Sequence, residues 1–253
     1  MTRAGAWAAR ATLPILASLL STAVLSGCGA SPQPVGPAGV DGLTIPTPNP
    51  HPEDFAGHAE NVWFPLEPGT QWTYRQYLPT GFRTVVATVL PRQRRIAGIA
   101  TTAIRWQYRV HGADRTAMIR WYAVDTAGNV WWFGQRVAPR EPRLDLLAPR
   151  SWQAGVDGAE AGLVLTATPR LGDGYLNAAE PGVVERRSTV DSVSSTVVTA
   201  EHTFRHTVVT RDLSTLAPLH VVQTFYARGL GMVAQQDTRV LSTSLSLTRV
   251  RHR

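Results

Sequence analysis

From Gln71 onward, apolar residues recur at every second position in run after run, and that period fixes the class of fold before composition matters. The stretch "Gln71-Trp-Thr-Tyr-Arg-Gln-Tyr-Leu78" alternates, "Pro79-Thr-Gly81" turns the chain, and residues 82–90 follow, rich in β-branched side chains. This is the pattern of a hairpin. Successive side chains of a strand point to opposite faces, so a strand over 100–110 places Ile104, Trp106, Tyr108 and Val110 on one face and Thr101, Arg105, Gln107 and Arg109 on the other. Its partner is expected over 117–125 after a turn at 111–114, with further strands at 130–137, 183–192, 196–210, 219–226, 232–237 and 242–250. Residues 138–179 lack the period and read as a loop-rich insertion with a short helical turn. Short consecutive strands with Gly- and Pro-marked turns predict an all-β fold: a single antiparallel meander forming a barrel or a strongly curved sheet.

The densest apolar segment is "Trp121-Tyr-Ala-Val-Asp-Thr-Ala-Gly-Asn-Val-Trp-Trp-Phe-Gly134". With Ala127-Gly128 as the turn centre, Val124 faces Trp131, Tyr122 faces Phe133, Ala123 faces Trp132, and Gly134 leaves room for the Trp121 ring. Residues directly across share a face. One face then carries Tyr122, Val124, Trp131 and Phe133, and the other Ile119, Trp121, Val130 and Trp132. Each ring buries roughly 150–250 Å², so neither face suits water. Either protein covers both, or one lines a cavity for an apolar or carbohydrate ligand, with Trp106, Trp121 and Trp132 as its lining.

The chain opens with Arg3 and Arg10 ahead of an uncharged apolar run, residues 11–25, that ends in small residues. That order reads as a secretory signal peptide, and the run is shorter than the ~20 residues of a spanning helix. "Leu25-Ser-Gly-Cys28" resembles the lipobox of bacterial lipoproteins, in which the cysteine takes a diacylglyceryl group. Cys28 is also the only cysteine in the chain, so an intramolecular disulfide has no partner and stability must come from a core. The expected organisation is a signal peptide over 1–27, a Pro/Gly-rich tether over 28–60 and a β-rich domain over 61–253. Two or more acyl chains hold a protein stably on a bilayer, so a modified Cys28 is expected to anchor the mature chain, at the outer membrane in a Gram-negative cell.

All 25 basic residues are Arg, against 18 acidic ones. Losing Arg3 and Arg10 with the leader lowers the net charge from +7 to about +5, without the basic stripe interleaved with aromatics that nucleic acid requires. "His202-Thr-Phe-Arg-His206" has helical metal-ligand spacing, yet on a strand the two rings lie ~13 Å apart, too far to share zinc; they are expected to flank Phe204. "Asp125-Thr-Ala-Gly-Asn129" is similar to part of a calcium loop, but Ala127 interrupts the alternating oxygen ligands, and a tight turn accounts for it. "Asp157-Gly158" and "Asp173-Gly174" read the same way. Asp125, Asp157 and Glu185 are candidate carboxylates for hydrolysis, though nothing in their spacing brings them together. No catalytic, cofactor or metal residue is assigned.

Four stretches in order, "Trp63-Phe-Pro-Leu-Glu-Pro-Gly-Thr-Gln-Trp-Thr-Tyr74", the aromatic hairpin, "Ser151-Trp-Gln-Ala-Gly-Val-Asp-Gly158" and "Phe225-Tyr-Ala-Arg-Gly-Leu-Gly-Met-Val233", resemble a family of uncharacterised bacterial lipoproteins and secreted proteins. The resemblance implies export and a β-rich fold, and no activity. Members tend to carry acids where this chain has Gln135, Arg186-Arg187 and Gln223, so any chemistry those acids serve is expected to be lost here. The leading expectation is a lipid-anchored, non-catalytic binding or interaction module. The alternative is a degenerate or unrecognised extracytoplasmic hydrolase using carboxylates near 138–179.

Overall fold

Alternation along the first hairpin sets the geometry of the whole wall. In the computed structural model, which describes residues 50–57, 59–78, 81–110, 113–139, 147–148, 150–238 and 244–252, β1 (Gln71–Leu78) turns Trp72, Tyr74 and Gln76 inward and β2 (Gly81–Ile96) pairs with it in antiparallel register. β3 (Ile99–Val110) and β4 (Ala113–Val124) continue the meander, with Ile104 and Trp106 on the inner face as expected. β5 (Val130–Val137), β6 (Trp152–Gln153), β7 (Glu160–Leu165), β8 (Gly174–Glu180), β9 (Val184–Val198), β10 (Thr203–Ser214), β11 (Val221–Ala227), β12 (Gly231–Asp237) and β13 (Ser244–Arg251) complete it. The order β4-β3-β2-β1-β13-β12-β11-β10-β9-β8-β7-β5 closes through the β4–β5 pairing, giving a twelve-stranded antiparallel barrel with β6 added beside β5. Arg109, Arg187 and Arg211 stand on the outside, with side chains 55%, 63% and 46% exposed. Charged side chains at those three positions do not suit the apolar outer band of a lipid-facing barrel.

Residues 138–179 differ from the loop-rich expectation, because β6, β7 and most of β8 lie within them. Their period is hidden by small side chains. In "Glu160-Ala-Gly-Leu-Val-Leu165" both faces are buried and Gly162 approaches β8 so closely that a Cβ there would lie 2.2 Å from the Leu176 carbonyl oxygen. A second correction concerns β9 and β10: the chain reverses at 199–202, inside the strand expected over 196–210. There Thr199 supplies the turn bonds, its amide donating to the His202 carbonyl and its hydroxyl accepting from the His202 amide. The hairpin tip reaches β1 through a Glu201–Arg75 ion pair of 2.5 Å. Since β11, β12 and β13 lie between, the hairpin crosses their outer face, where Phe225 and Ala234 are buried.

The packed structure also takes in residues assigned to the tether. A 3-10 helix, Pro52–Phe55, sets the Phe55 ring edge-on against Trp131 and Phe133, at 6.4 and 5.5 Å. A strap over 61–66 then crosses one mouth of the barrel. Asn61 Nδ2 donates to the carbonyls of Gly128 and Thr166, the Gly229 amide donates to the Val62 carbonyl, and Phe64 enters the interior between Tyr122 and Tyr226. Three turns from around the rim are thus tied to one segment. Residues 1–49, including the expected signal peptide, Cys28 and most of the expected tether, lie outside the described residues.

Candidate functional site

The aromatic hairpin supplies one wall of the site, and its turn is fixed by a single carboxylate. Asp125 Oδ1 accepts from the amides of Ala127 and Asn129, and Oδ2 accepts from Asn129 Nδ2 and Trp131 Nε1, all at 2.8–3.0 Å. With both oxygens occupied, Asp125 holds the turn. Asp125 and Asn129 close a three-residue loop with Gly128 at φ 83°, one residue longer than expected. Tyr122 therefore opposes Trp132, Ala123 opposes Trp131 and Val124 opposes Val130, until a bulge restores Trp121 opposite Gly134. The expected faces are corrected accordingly. Tyr122 and Trp132 point inward, and Trp121, Trp131 and Phe133 lie on the outer side under Arg94 and Phe55. Gly134 makes room for β6 rather than for the Trp121 ring, since a Cβ would sit 2.6 Å from the Trp152 carbonyl oxygen.

Inside the barrel a cavity of about 70 Å³ remains, bounded at the strap by Phe64 and Pro65. Its walls differ in kind. On the β1–β5 side stand Trp72, Tyr74, Ala87, Ile104, Trp106, Tyr122 and Trp132, with Arg120 among them; on the β8–β12 side stand Asn177, Arg186, Ser188, Asp212, Thr224 and Gln235, with Tyr226 and Met232 among them. Tyr74 and Trp106 stack at 5.8 Å with planes 18° apart. The guanidinium groups of Arg120 and Arg186 lie 4.7 and 5.9 Å from the Trp132 ring, within cation–π range.

Asp212, 1% exposed, is the hub of the polar wall. It accepts from Arg186 Nη2 at 2.8 Å, Thr224 Oγ1 at 2.9 Å and Ser188 Oγ at 2.5 Å, and Gln235 Nε2 donates to Thr224 Oγ1 at 3.1 Å. Ser188 Oγ also lies 2.7 Å from Asn177 Oδ1, and its one proton serves either acceptor in turn. A charge this deep is held only by such pairing, because removing one partner strands the other in low dielectric. Trp106 Nε1, by contrast, is buried without an acceptor among the described residues. Burial pushes the Tyr74 and Tyr226 hydroxyls well above their ordinary value, helped by Tyr226 for the first and Asp212 for the second. Both phenols thus stay neutral, and Tyr74 donates to the Met232 carbonyl at 3.0 Å.

Of the three tryptophans named from sequence, Trp106 and Trp132 line this cavity and Trp121 does not. Trp121 borders a shallower outer groove of about 310 Å³ with Arg94, Gln153, Asp157 and Glu180. There burial and then the nearby Asp157 raise the Glu180 pKa. Glu185 lies apart, on β9, beside Arg187 and Thr215, so Asp125, Asp157 and Glu185 form no common cleft. His202 packs edge-on to Phe204 at 5.7 Å, while His206, at a bulge with φ 54°, meets Ser194 Oγ at 3.1 Å.

Sequence reasoning missed Arg120, Arg186 and Asp212. The signal was available for Arg186, which shares a face with Val184, Ser188 and Val190 by simple alternation; Asp212 sits between inward Thr210 and Ser214, where no apolar residue marks the inner face.

No family model matches the chain, and no curated protein matches it. Two solved structures are similar in outline. A protein of Bacteroides fragilis, described as exported and as having a YmcC-like fold, is 15% identical and aligns over 76% of this chain and 100% of its own at a TM-score of 0.40. One of Parabacteroides distasonis, described as a lipoprotein, is 9% identical over 77% of this chain and 100% of its own at 0.37. Likeness at that level says nothing of what this chain binds or where it resides.

Proposed function

We propose that the protein is a lipid-anchored extracytoplasmic binding module: Cys28 carries the acyl chains, the Pro-rich segment holds the barrel off the membrane, and the interior cavity is the ligand site. One observation carries the binding half, the two-walled cavity among Trp106, Trp132, Arg186 and Asp212. The interior of a closed barrel is filled by side chains or holds a ligand, and buried polar residues around free space suit the second. The anchor rests on the lipobox-like "Leu25-Ser-Gly-Cys28" following the basic and apolar run. Labelled palmitate is expected to enter the wild-type protein and not Cys28→Ser; equal labelling removes the anchor.

A hydrolytic reading rests on the outer groove, where burial and then the nearby Asp157 raise the Glu180 pKa, the direction wanted of a general acid. Its test is Glu180→Gln against an active wild-type preparation, and unchanged hydrolysis rejects it.

A further inference from the structure

Resting on the interior being the ligand site, we infer that it takes a neutral saccharide unit. The two walls face each other across the barrel rather than following one another along its axis, because most of the aromatic residues come from β1–β5 and most of the hydrogen-bonding ones from β8–β12, with Arg120 of β4 and Tyr226 of β11 crossing that division. A ligand between them needs one apolar face and one polar edge. A pyranose ring has both: its axial C–H bonds form a face that packs on aromatic rings, and its hydroxyls radiate around the edge. An alkyl chain makes no hydrogen bond to the polar wall and leaves the buried Trp106 Nε1 donor unpaired.

The chemistry of that wall also selects against anions. Of the two guanidinium groups in the lining, Arg186 is paired with Asp212 and Arg120 donates to Gln135, and Asn177, Ser188, Thr224 and Gln235 each bring an acceptor as well as a donor, whereas a carboxylate or phosphate needs donors alone. A sugar hydroxyl donates and accepts at the same atom, so it fits a mixed wall. On the opposite side Trp106 Nε1 is a buried donor that lacks an acceptor among the described residues. An unpaired buried donor costs stability, and a ring or hydroxyl oxygen lying against the aromatic wall satisfies it. The space inside that is open to the centre of a water molecule is about 70 Å³, which suits one ring better than a chain of them.

The test is saturation-transfer NMR on the detergent-solubilised mature protein, with glucose, galactose, mannose and N-acetylglucosamine, and with laurate and inorganic phosphate as competitors. We expect at least one sugar to give saturable transfer, strongest at the C–H protons of one ring face. Gln235→Leu, at the half-buried edge of the polar wall, is expected to weaken binding about tenfold, as is Trp106→Phe, each removing one hydrogen bond to a ligand in a dry site. Circular dichroism and thermal melts separate that loss from misfolding. Saturable transfer from none of the four sugars, or equal affinity in both folded variants, overturns the inference. Saturable laurate or phosphate without sugar overturns it while leaving the interior a ligand site; silence from every probe, with protein taken from its own envelope free of any adduct, removes both.

Discussion

Gln135 shows how narrowly a buried position is specified. Its Oε1 accepts from Arg120 Nε at 3.0 Å while its Nε2 donates to the carbonyls of Ala148 and Arg150 at 2.6 and 2.7 Å. An acid at this place keeps the first contact and turns an oxygen toward two carbonyl oxygens. Gln135→Glu is therefore expected to cost about 2 kcal/mol or more, read as a lower urea midpoint at unchanged slope; an unchanged midpoint contradicts the assignment. Gly162 is specified by space instead, and Gly162→Ala is expected to cost about 1–3 kcal/mol through overpacking, because the added methyl meets the β8 backbone. A melting temperature equal to wild type counts against that close approach.

At the level of elements, the β4–β5 hairpin was the most legible part of the sequence, and it was still misregistered near its turn. Asp, Gly and Asn announced the reversal, but the extra loop residue and the bulge that restores the pairing leave no trace in an apolar pattern. Removing the carboxylate that closes the loop strands four donors, one of them the Trp131 indole. Asp125→Ala is expected to cost on the order of 3 kcal/mol, with faster amide exchange at Asn129 as the local readout; exchange at the wild-type rate contradicts the role given to Asp125. Strands whose inner face is apolar, such as β1 and β3, were readable because alternation is a hydrophobic signal. β7 was not, since Ala and Gly hide the period, and β10 was misplaced because the inner face of its second half is Thr210, Asp212 and Ser214. For the same reason the aromatic wall of the site was visible in sequence and the polar wall was not: buried polar side chains look like solvent-facing ones until the barrel closes around them.

Taken whole, the molecule is a barrel whose stability rests on a core without a disulfide, and its buried phenols give that core a pH limit. Tyr74, Tyr175 and Tyr226 all have pKa values raised chiefly by burial above the ordinary 10.0. Below pH 10 folded and unfolded chains both keep these protons and the contribution is intact. Above it the unfolded chain releases protons that the folded one retains, so stability falls as pH rises toward the folded values. Thermal melts from pH 8 to 11 are expected to be flat at first and then to drop, with a shallower drop in Tyr226→Phe; a drop of equal steepness in that variant contradicts the assignment. The central claim, that the space inside the barrel is occupied in the envelope, is tested most directly by native mass spectrometry of protein purified from its own cells, beside a Gln235→Trp variant that fills the cavity from its polar side. The account predicts a discrete non-covalent adduct on the wild-type protein and its loss from the folded variant. Wild-type protein at its bare mass, or an adduct that survives the substitution, would contradict it.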